Sequence, residues 1–179
     1  QDTGLVWVPP SPNMPTMDTV NVYPGMCFFE GTNVSEGRGT TRPFEQVGAP
    51  WIDAFDLTDR LNALKLPGAA FRPVFFRTAF GKYESQTCRG VQLHATPGAP
   101  FQTVRCGFEA LAAVRCGWPD DFAWRTNRDG IHNFDKLAGT DGVRLAIDAG
   151  AAIDDLVSDW ARDRADFEEQ RQKYLHYQL

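Results

Sequence analysis

The stretch that most constrains this chain is Glu30-Gly-Thr-Asn-Val-Ser-Glu-Gly-Arg-Gly-Thr-Thr-Arg-Pro-Phe44. It holds two acids, two arginines, four hydroxyl residues, one Asn and three glycines in fifteen positions. Neither the 3.6-residue period of a helix nor the twofold period of a strand runs through it, so it must be carried as a loop. Apolar runs flank it, Met26 to Phe29 before and Phe44 to Trp51 after. Gly31, Gly37 and Gly39 give it backbone freedom. A polar, glycine-punctuated loop between buried segments is a common layout for a binding or catalytic site. The alternative is a solvated Ω-type loop.

At 179 residues the chain fits one domain with a sizeable core. A net charge of −5 argues against an electrostatic nucleic-acid binder, which needs a basic face. The apolar runs are too short to span a membrane. Residues 1–8 carry no initiator Met, basic leader or apolar signal core. They read as a short strand, so we expect a processed product or a piece of a longer protein, with 1–15 as linker and incoming strand and 16–179 as the domain. Cys27, Cys88, Cys106 and Cys116 form no CxxC pair, and His94, His132 and His176 are scattered, so no metal site is expected. Cys106 and Cys116 fall near opposite ends of one helix, too far apart for a disulfide. Cys27 with Cys88 is open as a pair, and two buried thiols are the simpler reading.

Pro9 to Pro15 reads as a stiff connector, with Thr16 and Asp18 as caps for a helical turn. Pro24-Gly25 reads as a turn, and Cys27 to Glu30 as a short buried element. A strand is expected over Phe44–Val47 and a helix from Asp53, with Leu57, Leu61 and Leu64 on one side. Ala69–Phe76 reads as a strand that Pro73 confines to an edge. Arg89–Ala95 alternates like a half-buried strand. Val104, Phe108 and Leu111 mark a helix to about Cys116, and shorter helices are expected near Phe134–Leu137 and Asp141–Ile147. Ile153, Val157, Trp160, Arg164, Phe167, Arg171 and Tyr174 form one face of a long final helix. Its two arginines read as salt-bridged covers over the core or as contacts to a neighbouring domain. The fold class is α+β: a single domain with a short mixed sheet of four to six strands, packed helices and a long C-terminal helix.

Several strings together resemble one bacterial family: Pro10–Thr16, Tyr23-Pro-Gly25, Glu30–Thr41, Gly48-Ala-Pro-Trp51, Leu66-Pro-Gly68, Phe71-Arg-Pro73, Cys88–Val91 and Tyr174–Tyr177. The family was once called domain of unknown function 1343 and is identified with NamZ-type exo-β-N-acetylmuramidases, a class of glycoside hydrolase. The resemblance covers residues 7–177, and the Glu30–Thr41 string makes it specific. It implies release of terminal N-acetylmuramic acid from the non-reducing end of peptidoglycan fragments, and a periplasmic or extracellular location. It also implies a Rossmann-like N-terminal domain carrying the family's proposed catalytic acid. That domain has no counterpart here, so no catalytic residue is carried over and the isolated chain is expected to be inactive.

Glycoside hydrolysis commonly uses two carboxyl groups across the scissile bond. Glu30 and Glu36 are a formal pair, but loop spacing fixes no distance between them. N-acetylmuramic acid carries a lactyl carboxylate that Arg38 or Arg42 can take bidentately. Asn33, Thr40 and Thr41 can hydrogen-bond sugar hydroxyls or the acetamido group, with Glu30 and Glu36 orienting the arginines. The structural alternative is that Glu30–Arg42 and Glu36–Arg38 pairs simply pin the loop. His94 reads as a surface residue and the Trp118/Trp124 pair as packing, although either tryptophan can stack on a sugar. No nucleophile elbow or phosphate loop is present, and no cofactor is expected. The expected partners are peptidoglycan fragments and the N-terminal domain; the competing function is a non-catalytic muropeptide-binding or bracing module.

Overall fold

The computed structural model describes residues 4–176, without the side chains of Asp159 and Arg162. Residues 1–3 and Tyr177 lie outside the described residues. Leu5–Val8 is irregular rather than the expected strand, and Trp7 Nε1 donates to the Pro15 carbonyl at 3.1 Å.

Helix α1 (Met17–Met26) starts where Thr16 Oγ1 accepts the Thr19 amide at 3.2 Å. The expected turn at Pro24-Gly25 is instead the last turn of α1. Proline there gives up the amide bond to the Val20 carbonyl, a cost that the packing of this turn has to offset. Gly25 has a packing reason. A Cβ on it would overlap the Thr103 carbonyl, and a Cβ on Gly107 would overlap the Gly25 carbonyl. Two glycines thus let α1 and α3 (Thr103–Gly117) cross with backbones in contact. A 3-10 turn, Cys27–Gly31, then buries Phe28 and Phe29 and delivers Glu30.

The sheet has three strands in the order β1-β3-β2. They are β1 (Gln46–Ala49), β2 (Ala69–Arg77) and β3 (Thr87–Ala95). The class is α+β, but among the described residues the sheet is smaller than the four to six strands expected, and both pairings are antiparallel rather than mixed. The first strand begins two residues later than expected because Phe44 takes a left-handed φ of 62°. Pro73 sits on edge strand β2 opposite Val91, where a missing amide is tolerated. Asp53 caps α2 (Ala54–Ala63) by accepting the Phe55 and Asp56 amides at 2.9 and 3.1 Å. Leu57 and Leu61 are buried, while Leu64 lies past the helix end and is exposed.

Helices α4 (Asn133–Ala138) and α5 (Gly142–Asp148) are separated by Gly139, at φ 74°. The core gathers around Phe28, Phe108 and Phe134, with ring centroids 4.6 to 6.3 Å apart. Helix α6 (Ile153–Arg171) joins this core only through its first turns. Ile153 is buried and Trp160 meets Phe108 edge-on at 5.8 Å, but Phe167 is 61% exposed. Arg164 does not cover the core as expected; its side chain is 75% exposed and pairs with Glu168 at 3.9 Å. All four cysteines are free thiols, with Cys106 and Cys116 in the first and last turns of α3. Among the described residues no helix is long and apolar enough to cross a membrane.

Candidate functional site

The 30–44 segment is folded back on itself and tied at both ends. Ser35 and Gly48 exchange backbone hydrogen bonds at 2.8 and 2.9 Å, and the Phe44 amide donates to the Glu36 carbonyl at 2.7 Å. Inside this frame lies an ionic brace. Lys82 Nζ donates at 2.8 Å to Glu36 Oε2, to the Phe29 carbonyl and to the Val34 carbonyl. Arg38 reaches Glu30 Oε1 at 2.6 Å and Glu36 Oε1 at 3.5 Å, and lies over the Phe44 ring at 4.8 Å. The expected Glu36–Arg38 pair is present as the longer of these contacts. The expected Glu30–Arg42 pair is not: Glu30 pairs with Arg38, and Arg42 pairs with Glu45 at 3.0 Å. Left-handed turns at Gly37 and Gly39 (φ 76° and 79°) carry the chain round, which puts Arg38 and Arg42 in different clusters.

Two candidates are spent on holding the loop in place. Asn33 Nδ2 donates to the Asp121 carbonyl at 2.7 Å, and its Oδ1 accepts the Ala123 amide at 3.0 Å. Thr40 Oγ1 donates to the Gly37 carbonyl at 2.6 Å and accepts from Gln46 Nε2 at 2.9 Å. Both shape the loop.

Thr41 and Arg42 lie elsewhere, on the wall of a cleft of about 540 Å³ that also takes in Asp18, Val22, Glu45, Gln46, Arg72, Gln92 and His94. Its floor follows from strand register. Gln46 is opposite Gln92, and Arg72 is opposite Gln92 from the other side, so the three share one face of the sheet in a single row. The organising group is Glu45, whose residue is only 2% exposed. Its Oε1 accepts from Thr19 Oγ1 at 2.8 Å and Thr16 Oγ1 at 3.2 Å. Its Oε2 accepts from Arg42 Nη1 at 3.0 Å and Gln92 Nε2 at 3.4 Å. A buried carboxylate needs this many donors to offset lost hydration. Gln92 Oε1 in turn accepts from Arg72 Nη2 at 2.6 Å and Nε at 3.1 Å, and His94 Nε2 accepts from Arg72 Nε at 3.2 Å.

Burial, then the Arg72 charge, lowers the His94 pKa, so the ring is neutral at pH 7 and serves as an acceptor. Burial also lowers Lys82, with Glu36 opposing the shift. Burial, with Glu30 adding to it, pushes the Cys27 thiol up to about 11, which removes it as a nucleophile at neutral pH.

Of the loop residues expected to contact substrate, Thr41 and Arg42 line this cleft; Glu45, Gln46, Arg72 and Gln92 were not among the expected site residues, and His94, expected at the surface, lines the cleft as well. The available signal was a charged residue inside an apolar run, Pro43-Phe-Glu-Gln-Val47, and an alternating strand whose polar side is itself covered. Trp51, Trp118 and Trp124 are packing residues. Trp51 and Trp118 are 6.4 Å apart, and Trp124 stacks edge-on with Phe122 at 4.9 Å while its indole donates to Asp148 at 3.1 Å. Among the described residues no group of His, Cys, Asp and Glu is arranged to hold a metal ion.

Such a domain, a small antiparallel sheet with a polar cleft walled by a glycine-rich loop, has known counterparts. Residues 21–177 match the family model described as exo-β-N-acetylmuramidase NamZ, C-terminal, and the chain belongs to that family. It is 40% identical over 176 residues to the peptidoglycan β-N-acetylmuramidase NamZ of Bacillus subtilis (strain 168), covering 98% of this chain and 42% of that protein. Two crystal structures of DUF1343 family proteins from Bacteroides fragilis NCTC 9343 are similar. One has a TM-score of 0.86 at 29% identity, covering 99% of this chain and 47% of that one. The other has a TM-score of 0.63 at 28% identity, covering 95% and 44%. The chain therefore spans less than half the length of these relatives.

Proposed function

We propose that this domain forms one wall of the sugar pocket of an exo-β-N-acetylmuramidase that releases terminal N-acetylmuramic acid from peptidoglycan fragments outside the cytoplasm. In this reading residues before about 16 are the link from an N-terminal domain, which supplies the bond-breaking acid. The observation that carries it is the Thr41/Arg42 cleft. Its volume of about 540 Å³ suits one sugar with its substituents, and hydrogen-bonding groups outnumber the apolar Val22, Leu93 and Ala95 in its lining. The role of the 30–42 segment is divided. Glu30, Asn33, Glu36, Arg38 and Thr40 hold the loop's shape, and Thr41 and Arg42 meet the ligand. The cleft offers no carboxyl group suited to acid catalysis: Glu45 is buried and saturated with donors, and Asp18 stands exposed on the first turn of α1. The domain thus binds and orients while the chemistry is done from across the pocket.

The test is release of a chromogenic aglycone from an N-acetylmuramic acid glycoside by the longer protein that carries this domain. Arg42→Ala should lower kcat/KM by at least tenfold. Wild-type kinetics in that variant, or turnover by the isolated 179-residue chain, would contradict the reading.

A further inference from the structure

Two arginines face the cleft, and their partners differ. Arg42 is matched by the Glu45 carboxylate at 3.0 Å. Arg72 is held by neutral acceptors, the Gln92 carboxamide and the His94 imidazole, and among the described residues no carboxylate pairs with it. A guanidinium held by neutral groups keeps its full charge, and with Nε and Nη2 engaged by Gln92 and His94 it presents its Nη1 edge to an anion. Its placement is also not left to rotamer freedom. Glu45, anchored by Thr16 and Thr19 on the α1 side, accepts from Gln92 Nε2, which turns Gln92 Oε1 towards Arg72. The relay runs from a buried carboxylate just before β1, through a buried amide on β3, to an exposed guanidinium on β2.

We propose that Arg72 is a specificity-determining residue that reads the carboxylate of a sugar acid in this cleft, and that Glu45 and Gln92 are its positioning residues. The inference rests on the sugar-pocket reading above and adds to it which group selects an acidic sugar over its neutral counterpart. Arg42, already neutralised by Glu45, serves the uncharged part of the ligand together with Thr41 and Gln46. Asp18 at the rim accepts from hydroxyl or amide groups. It also sets a direction, because a ligand carboxylate is repelled from that side and drawn towards Arg72.

The experiment is calorimetric titration of the longer protein that carries this domain with N-acetylmuramic acid and with N-acetylglucosamine, which differ only in the lactyl ether. The wild type should prefer N-acetylmuramic acid by at least tenfold. Arg72→Ala should bring that ratio near one by weakening only the acid, and Arg72→Lys should restore part of it, since it returns the charge without the fork. Gln92→Ala should lower the ratio less than Arg72→Ala does, with the neutral sugar unaffected. A merely structural role for Gln92 would instead weaken both sugars alike. An unchanged ratio in Arg72→Ala would overturn the inference, as would equal binding of the two sugars by the wild type, which leaves the sugar pocket standing. Binding of neither sugar contradicts the sugar-pocket reading, and this inference with it.

Discussion

The two ionic clusters on either side of Phe44 are built from the same residue types, yet they are organised for opposite ends. In the brace, each charge is answered within the protein: Lys82 spends its ammonium on Glu36 and two backbone carbonyls, and Arg38 spends its fork on Glu30 and Glu36. In the cleft, one carboxylate is buried beneath donors while Arg72 is held by neutral acceptors on an accessible floor. The first arrangement locks a loop. The second keeps a charge in reserve. Richness in charged residues is therefore a poor guide to a binding site; the balance of partners is a better one.

The comparison predicts a gradient of effects on folding. The largest belongs to the brace. Lys82→Met leaves Glu36, whose side chain is only 8% exposed, to its longer contact with Arg38, and should cost about 3 kcal/mol in urea unfolding. A loss below about 1 kcal/mol would mean the brace is not what holds the loop. Next comes the buried base of the cleft. Glu45→Gln keeps the shape but removes the charge that Arg42, Thr19 and Gln92 serve, and should cost about 1–3 kcal/mol by the same measurement.

A smaller effect concerns pH. His94 has a folded pKa below its ordinary value of 6.5, because of burial and then Arg72. The unfolded chain then binds this proton more readily than the folded one, so stability is present above pH 6.5 and is lost as pH falls through the folded value. His94→Gln should flatten the fall in stability between about pH 7 and 5 relative to wild type. An identical slope in the two proteins would remove His94 from the account. The smallest change belongs to the cleft surface. Thr41→Ala touches an exposed side chain and should stay within about 0.5 kcal/mol of wild type.

Local signals were readable in the sequence where the structure depends on neighbours in the chain. Thr16 and Asp53 cap their helices, Phe108 and Leu111 face the core from α3, and Pro73 marks an edge strand. The loop, too, was recognisable as a unit. What failed to show was everything set by register between distant segments. Glu45 draws its donors from positions 16, 19, 42 and 92, and only the β1–β3 and β2–β3 pairings bring Gln46, Gln92 and Arg72 into one row. Pro24-Gly25 misled for a related reason: the glycine answers a helix crossing eighty residues away in sequence, not a turn. On α6 the apolar spacing continues through Phe167 and Tyr174, but the core it would cover ends near Trp160. Periodicity states that a face exists and not what lies opposite it.

The central claim is that the ligand meets the cleft and not the brace. It is tested most directly by following backbone and side-chain amide resonances of this domain, isotopically labelled within the longer protein, during titration with N-acetylmuramic acid. The account predicts shifts at Thr41, Arg42, Gln46, Gln92 and His94, with Glu30, Asn33, Glu36 and Arg38 left in place. Shifts concentrated at Glu30 to Arg38, with the cleft amides silent, would contradict it.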